Sequence, residues 1–147
     1  MTIRLRLARD SLDDMDTIAA LHTLAFPDSP RIDLDGSHTF WLATCEGVPV
    51  GFCSAIFYDW KKCVFLSRAA VMQTAAKSGL QRRMIRTRVA WARTLVGCDR
   101  AVTYCAPRNY PSLVNLLRCG FRLYEPTAEG IAPYGVAGAH YFRLRFT

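Results

Sequence analysis

One change of hydrophobic period constrains this chain more than any other feature. The run "KKCVFLSRAAVM" (61–72) has the continuous apolar character of a strand lying centrally in a sheet. From about Ser78 to Leu95 the period becomes helical. At 100° per residue Leu80, Met84, Trp91 and Leu95 share one arc, Arg82, Arg83, Arg86 and Arg93 share the opposite arc, and Arg88 falls among the apolar residues. The join, "VMQTAAKSGLQRRM" (71–84), holds small residues, one lysine, one serine and one glycine. A helix entered in this way leaves its first N–H groups without intrahelical partners, and the aligned peptide dipoles add partial positive charge there. From Trp60 to Cys98 there are nine Lys/Arg and no Asp or Glu; the net charge is +7, so the remainder is net −2. An anion is expected to meet the protein here. Gly79 permits close backbone approach, and Lys77 and Arg82 can add charge-assisted bonds, so the corner suits a pyrophosphate. Solvated basic surface is the plainer alternative.

The other elements follow from the same patterns. "IRLRLA" (3–8) alternates as a first strand. Asp10 or Ser11 can cap a helix carrying Leu12, Met15, Ile18, Leu21 and Leu24 or Ala25 at helical spacing. "PDSPRIDLDGS" (27–37) breaks that helix. "HTFWLATCEGVPVGFCSAIFYDW" (38–60) is two strands joined at Glu46-Gly47, "RAVTYCA" (100–106) is a strand, and "NYPSLVNLLRCGF" (109–121) contains a short helix with Pro111 in its first turn and Gly120 at its end. "FRLYE" (121–125) and "AHYFRLRF" (139–146) complete an order β-α-β-β-β-α-β-α-β-β. At 147 residues with no repeat or linker, one domain over 1–147 is expected, burying roughly two thirds of its unfolded surface.

Several classes are set aside. The six cysteines (45, 53, 63, 98, 105, 119) sit in or beside apolar runs without C-x-x-C spacing and read as buried free thiols. The three histidines (22, 38, 140) are scattered singly, so no metal site is expected. No apolar run approaches the ~20 residues of a membrane span, and the N-terminus lacks the apolar stretch of a signal peptide, so a soluble cytoplasmic protein is expected. The corner is neither the P-loop of nucleotide hydrolases nor a dinucleotide fingerprint, since it has only one glycine.

The corner resembles the acyl-CoA-binding segment of the GNAT superfamily of N-acyltransferases, in which a strand-ending Val stands five residues before Gln/Arg-x-x-Gly-x-Gly/Ala. Val71 opens the pattern, Ala76 falls where Gln or Arg is usual, Gly79 matches, and Gln81 replaces the last small residue. A second family signature, Asn with a small residue at +3 and Gly-Phe at +11, is met by Asn109, Ser112 and Gly120-Phe121. The element order is also the family's. The resemblance implies an α/β (α+β) fold: a mixed, mostly antiparallel sheet of about seven strands, splayed at the middle and flanked by helices. It implies acetyl-CoA as cosubstrate and no metal. Val71, Met72, Gln73, Lys77, Ser78, Gly79, Leu80, Gln81, Arg82, Asn109 and Ser112 are then the cofactor-binding candidates.

In such a fold the pantetheine arm fills the gap between the splayed strands and pairs with backbone near Val71 and Gln73. A strand N–H polarises the thioester carbonyl, the acceptor amine attacks directly, a base takes a proton, and the thiolate leaves. Two departures bear on the chemistry. Ala76 removes a long polar side chain near the pyrophosphate. The tyrosine that many members place seven residues after the motif Asn, to protonate the thiolate, is here Leu116. Asn109, Ser112 and Tyr110 are the catalytic candidates, with Tyr104 a further substitute acid; a helix cap, a first-turn residue and packing aromatics are their plainer readings. Cys105 serves as a nucleophile only if a base lies near. The strand 61–72 lacks the glutamate base some relatives keep. Asp33, Asp35 and Asp59 are candidates to attract a cationic acceptor, against solvated loop charge, and the long loop 126–138 is a candidate cover for the acceptor pocket.

The resulting expectation is an N-acetyltransferase acting on a small-molecule or peptide amine. A family fold that keeps the cofactor but is catalytically impaired is the alternative raised by Leu116. A basic nucleic-acid-binding module is the weaker alternative, since the arginine arc lacks interleaved aromatics. A homodimer is compatible with the resemblance.

Overall fold

The structure, a computed structural model, describes residues 2–29, 32, 34, 36–126, 136 and 138–147. In chain order its elements are β1 (Ile3–Leu7), α1 (Leu12–Ala25), β2 (Thr39–Cys45), β3 (Val48–Tyr58), β4 (Cys63–Val71), α2 (Leu80–Arg93), β5 (Arg100–Cys105), α3 (Tyr110–Arg118), β6 (Arg122–Leu123) and β7 (His140–Arg145). Single 3-10 turns at Asp59–Lys61 and Gln73–Ala75 flank β4. The order is the one expected. The seven strands make a mixed, mostly antiparallel sheet: β4 and β5 run parallel, while β1/β2, β2/β3, β5/β7 and β6/β7 are antiparallel.

The chain divides into two compact units, residues 1–56 with 67–84, and residues 57–66 with 85–147. In the first, Glu46 (φ 51°) and Gly47 (φ 80°) form the two-residue turn joining β2 to β3, since paired left-handed residues match the twist of the flanking strands. The hydrophobic cluster is Ile18 and Leu21 from α1, Phe40 and Leu42 from β2, Phe52 from β3 and Ala70 from β4. Complete burial of a side chain such as Phe52 contributes about 1.5–3 kcal/mol. Ser11 caps α1, its hydroxyl accepting from the Asp14 N–H. Two of the apolar positions read from periodicity lie outside the core: Leu12 and Leu24 are exposed, and Ala25 rather than Leu24 completes the stripe. Leu12 opens the helix and Leu24 falls on its outer side.

Gly51 fixes how closely β3 meets the corner. A Cβ there would stand 2.6 Å from the Ala70 carbonyl oxygen and 3.0 Å from the Met84 Cε. Only a residue without a side chain lets the Ala70 carbonyl of β4 lie this near to β3, with Met84 and Leu80 of α2 packed just beyond.

In the second unit, β5 pairs with β4 over Cys63–Phe65 against Arg100–Val102 and with β7 over its full length. The Thr103 hydroxyl donates to the Leu66 carbonyl at 2.8 Å. Phe121 and Phe142 are fully buried, and Arg88 is buried as well, in keeping with its place on the apolar arc of α2. All six cysteines are free thiols, with Cys53, Cys63 and Cys105 buried.

Candidate functional site

The β4–α2 corner lies in the first unit. The Met72 N–H donates to the Val50 carbonyl of β3 at 2.8 Å. Backbone groups alternate sides along a strand, so Val71, the last residue of β4, turns its own away from β3. The 3-10 turn then closes with Ala75 N–H on the Met72 carbonyl (2.9 Å) and Ala76 N–H on the Gln73 carbonyl (3.1 Å).

Beyond it the backbone does something the sequence showed only at Gly79. Lys77 (φ 62°) and Gly79 (φ 81°) are both left-handed, while Ser78 between them is not. Alternation of this kind turns successive N–H groups toward one concavity, the backbone geometry of a nest, which is able to accept an anion. A lysine in that region costs on the order of 1–3 kcal/mol, a strain typical of functional segments. A Cβ at Gly79 would meet nothing within 4 Å, so this glycine is required for its φ and the space around it is open.

The nest opens directly onto the 14-residue α2, which has no acid in its first turn. Two of its amides are engaged internally: Ser78 N–H with the Ala75 carbonyl and Leu80 N–H with the Ser78 hydroxyl, both at 3.3 Å. Bonds of that length are weak and yield to a better acceptor. Lys77, Ser78 and Gly79 are exposed, and Gln81 and Arg82 half-exposed. Arg83 is turned elsewhere, its guanidinium donating to the Ile3 carbonyl at 3.0 Å. Of the two adjacent arginines, Arg82 is therefore the candidate for the corner.

The second signature lies in the other unit, at the start of α3. Asn109 is the N-cap, its side-chain oxygen accepting from the Ser112 N–H at 3.4 Å, with Pro111 in the first turn. Tyr110 is exposed. Tyr104 stacks on Phe65 (5.7 Å, 19°) and lies tilted against Tyr141. Leu116, at the family's tyrosine position, is buried and its carbonyl accepts from the Phe121 N–H; it has no proton to give. Burial pushes the Cys105 thiol above its ordinary range, which disfavours the thiolate that a nucleophile needs.

Asp59 opens the 3-10 turn before β4, where Asp99 N–H donates to the Lys62 carbonyl. That is the Arg100 end of β5, whereas Asn109 follows its Cys105 end. The six residues of β5 separate the two by roughly 20 Å. Asp33 and Asp35 lie outside the described residues, as does most of the loop 126–138.

Two cavities border the segments expected to meet an acceptor. In the second unit, Leu123, Tyr124, Glu125, Pro126, His140 and Tyr141 enclose about 550 Å³ together with residues of the last loop. There the Tyr141 hydroxyl donates to the Val136 carbonyl and accepts from the Val136 N–H, each at 2.7 Å. In the first unit, a cavity of about 400 Å³ lies along α1 (Asp16, Ala19, Ala20, His22, Thr23) beneath Ile32 and Leu34. His22 is 2% exposed and its Nε2 has no hydrogen-bond partner. As a lone histidine it carried no motif, yet its spacing of four from Ile18 and seven from Met15 put it on the buried stripe. Among the described residues no group of three His, Cys, Asp or Glu is placed to hold a metal ion, and no helix is long and apolar enough to cross a membrane.

With this geometry in hand, the comparisons with known proteins are specific about class. The Acetyltransferase (GNAT) family model matches residues 7–121. The chain belongs to that family of acyltransferases. Among solved structures, a Bacillus subtilis acetyltransferase in complex with CoA is 16% identical at a TM-score of 0.76, covering 99% of this chain and 100% of that one. The Escherichia coli ribosomal-protein-S18-alanine N-acetyltransferase is 14% identical at a TM-score of 0.72, covering 99% and 95%. Nourseothricin acetyltransferase is 18% identical at 0.72 and covers both chains fully. These likenesses show a shared fold. No curated protein sequence matches the chain significantly.

Proposed function

We propose that the protein is an acetyl-CoA-dependent N-acetyltransferase that passes the acetyl group directly to an amine. The observation that carries this reading is the Lys77–Gly79 nest leading into the acid-free start of α2. Its fit to a diphosphate is physical: convergent N–H groups, a helix N-terminus, open space at Gly79 and two cations, Lys77 and Arg82, replacing the side chain that Ala76 lacks. Bound there, the thioester carrier supplies an activated acyl group.

The chain's own residues do the rest. The backbone of Val71 and the Gln73 N–H pair with the pantetheine arm as an added strand would, the Gln73 carbonyl being held by the turn. Asn109 and Ser112 hold the thiol end, and Tyr110 or the Ser112 hydroxyl supplies the proton that Leu116 cannot. The acceptor is a small-molecule or peptide amine, consistent with relatives named for a ribosomal-protein alanine and for nourseothricin.

Titration calorimetry with acetyl-CoA tests the reading: micromolar to sub-millimolar binding is expected, and none at millimolar concentration would overturn it. Buried Leu116 favours one second reading, a family member that binds acyl-CoA without turning it over. Release of free CoA thiol in the presence of a broad amine panel separates the two, since that reading requires binding with no thiol released.

A further inference from the structure

His22 is a buried polar group that the fold leaves without a partner. Its ring lies 5.1 Å from Phe26 and 6.2 Å from Phe52, and the Arg68 guanidinium from β4 covers the other ring, Phe26, at 5.2 Å. Nε2 carries no hydrogen bond, and it is the one buried side-chain polar atom so found among the described residues. An apolar side chain would fill this place without that cost. Burial and the Arg68 charge both disfavour the imidazolium, and in the neutral ring one nitrogen is an acceptor.

The same ring forms part of the wall of the 400 Å³ cavity along α1, a volume at the small end of ligand pockets. Nε2 has no exposed surface and no hydrogen bond, so contact with an occupant of the cavity requires a turn of the ring about χ2, a torsion with broad minima. The cavity's chemistry is mixed: Ala19, Ala20, Ile32 and Leu34 are apolar, Thr23 is polar, and exposed Asp16 is anionic.

We propose that this cavity seats the acceptor, a small cationic amine with an apolar body, and that His22 accepts a hydrogen bond from an N–H or O–H of that molecule while Asp16 attracts its charge. The inference rests on the acetyltransferase reading and adds to it an acceptor-binding residue on α1. It selects this cavity over the one beside His140 because, among the described residues, a buried polar atom lacks a partner here and not there.

The three histidines make the test direct. Full-length protein labelled with ¹⁵N-histidine is titrated with putrescine, tyramine and L-lysinamide, with and without acetyl-CoA, and the His22→Phe spectrum assigns the His22 signals. At least one amine is expected to shift His22 while His38 and His140 stay in place. For that amine, His22→Phe is expected to raise KM at least about tenfold with the calorimetric Kd for acetyl-CoA unchanged, and His22→Gln to restore part of the loss. A shift confined to His140, no shift by any amine while acetyl-CoA binds, or an unaltered KM in His22→Phe overturns the proposal. Should His22→Phe fail to fold, the wild-type shifts and His22→Gln still decide it. Amine shifts at His22 without acetyl-CoA binding would uphold the cavity and sink the acetyltransferase reading instead.

Discussion

The two long helices begin in opposite ways, although each has 14 residues and their first turns belong to the same unit. The start of α1 is sealed by the protein itself. Ser11 caps it, Asp13 and Asp14 put negative charge in the first turn, and the Asp14 carboxylate accepts from Nη1 and Nη2 of Arg6 (2.8 and 2.9 Å) and from the Arg9 N–H (2.7 Å). The start of α2 has no acid, two left-handed residues before it, and two 3.3 Å internal bonds. Both termini present the same partial positive charge. One satisfies it internally; the other does so only with weak bonds, as the proposed role in binding an anion requires. The start of α3, with Asn109 as cap, lies between these extremes.

The comparison breaks most readily at α2. Reversing its charges in a Lys77→Glu/Arg82→Glu variant is expected to weaken acetyl-CoA binding by roughly 100-fold or more, because charge-assisted bonds contribute about 1.5–3 kcal/mol each. Thermal stability should hardly change, and calorimetry beside a melting scan checks both. Retained affinity would mean that α2 is as sealed as α1.

Gly51→Ala should destabilise by about 1–3 kcal/mol, read by denaturant unfolding, because the Ala70 carbonyl cannot move away from a Cβ at 2.6 Å as a flexible side chain could. A shift of the α2 start should weaken acetyl-CoA binding in the same variant.

At α1 the effect should fall on stability alone. Asp14→Asn is expected to cost about 1–2 kcal/mol, discounted because Arg6 is 42% exposed, with acetyl-CoA affinity intact. The Arg6 pair and the Arg9 N–H hold the Asp14 carboxyl well below the usual carboxylate range. A depressed carboxylate stabilises fully above its unfolded value of about 3.9, and the contribution drains away as pH falls below that. The wild type should therefore lose stability more steeply than Asp14→Asn as the pH is lowered below about 4, which unfolding curves across pH would show. His22, depressed by burial and Arg68, adds an earlier loss that begins as pH falls through about 6.5 and that His22→Phe should abolish.

The smallest effect is expected at α3. Asn109→Ala should cost about 1 kcal/mol as a lost cap. Any fall in acetyl-CoA affinity beyond a few-fold would show that Asn109 serves the ligand as well as the helix.

Much of this was legible in the chain. Asp10 or Ser11 and the apolar spacing placed α1 within a residue of its observed bounds, Glu46-Gly47 marked the hairpin, and Gly120 marked the end of α3, because caps, periods and left-handed turns are written in neighbouring residues. Arg88 was already among the apolar positions of its helix. Leu12 and Leu24 fit the pattern yet face water, since periodicity assigns an arc and only packing decides how wide the buried part of it is.

By itself, then, the sequence determined the element order, the basic corner and the family signatures, all of which depend on residues a few positions apart. Only the tertiary structure decided that Lys77 is left-handed, that Arg83 is spent on Ile3, that Asp59 stands a strand's length from Asn109, and that a solitary histidine is walled in beside a cavity. Those outcomes follow from which distant segments meet, and a buried group's chemistry is set by neighbours that the chain brings together only on folding.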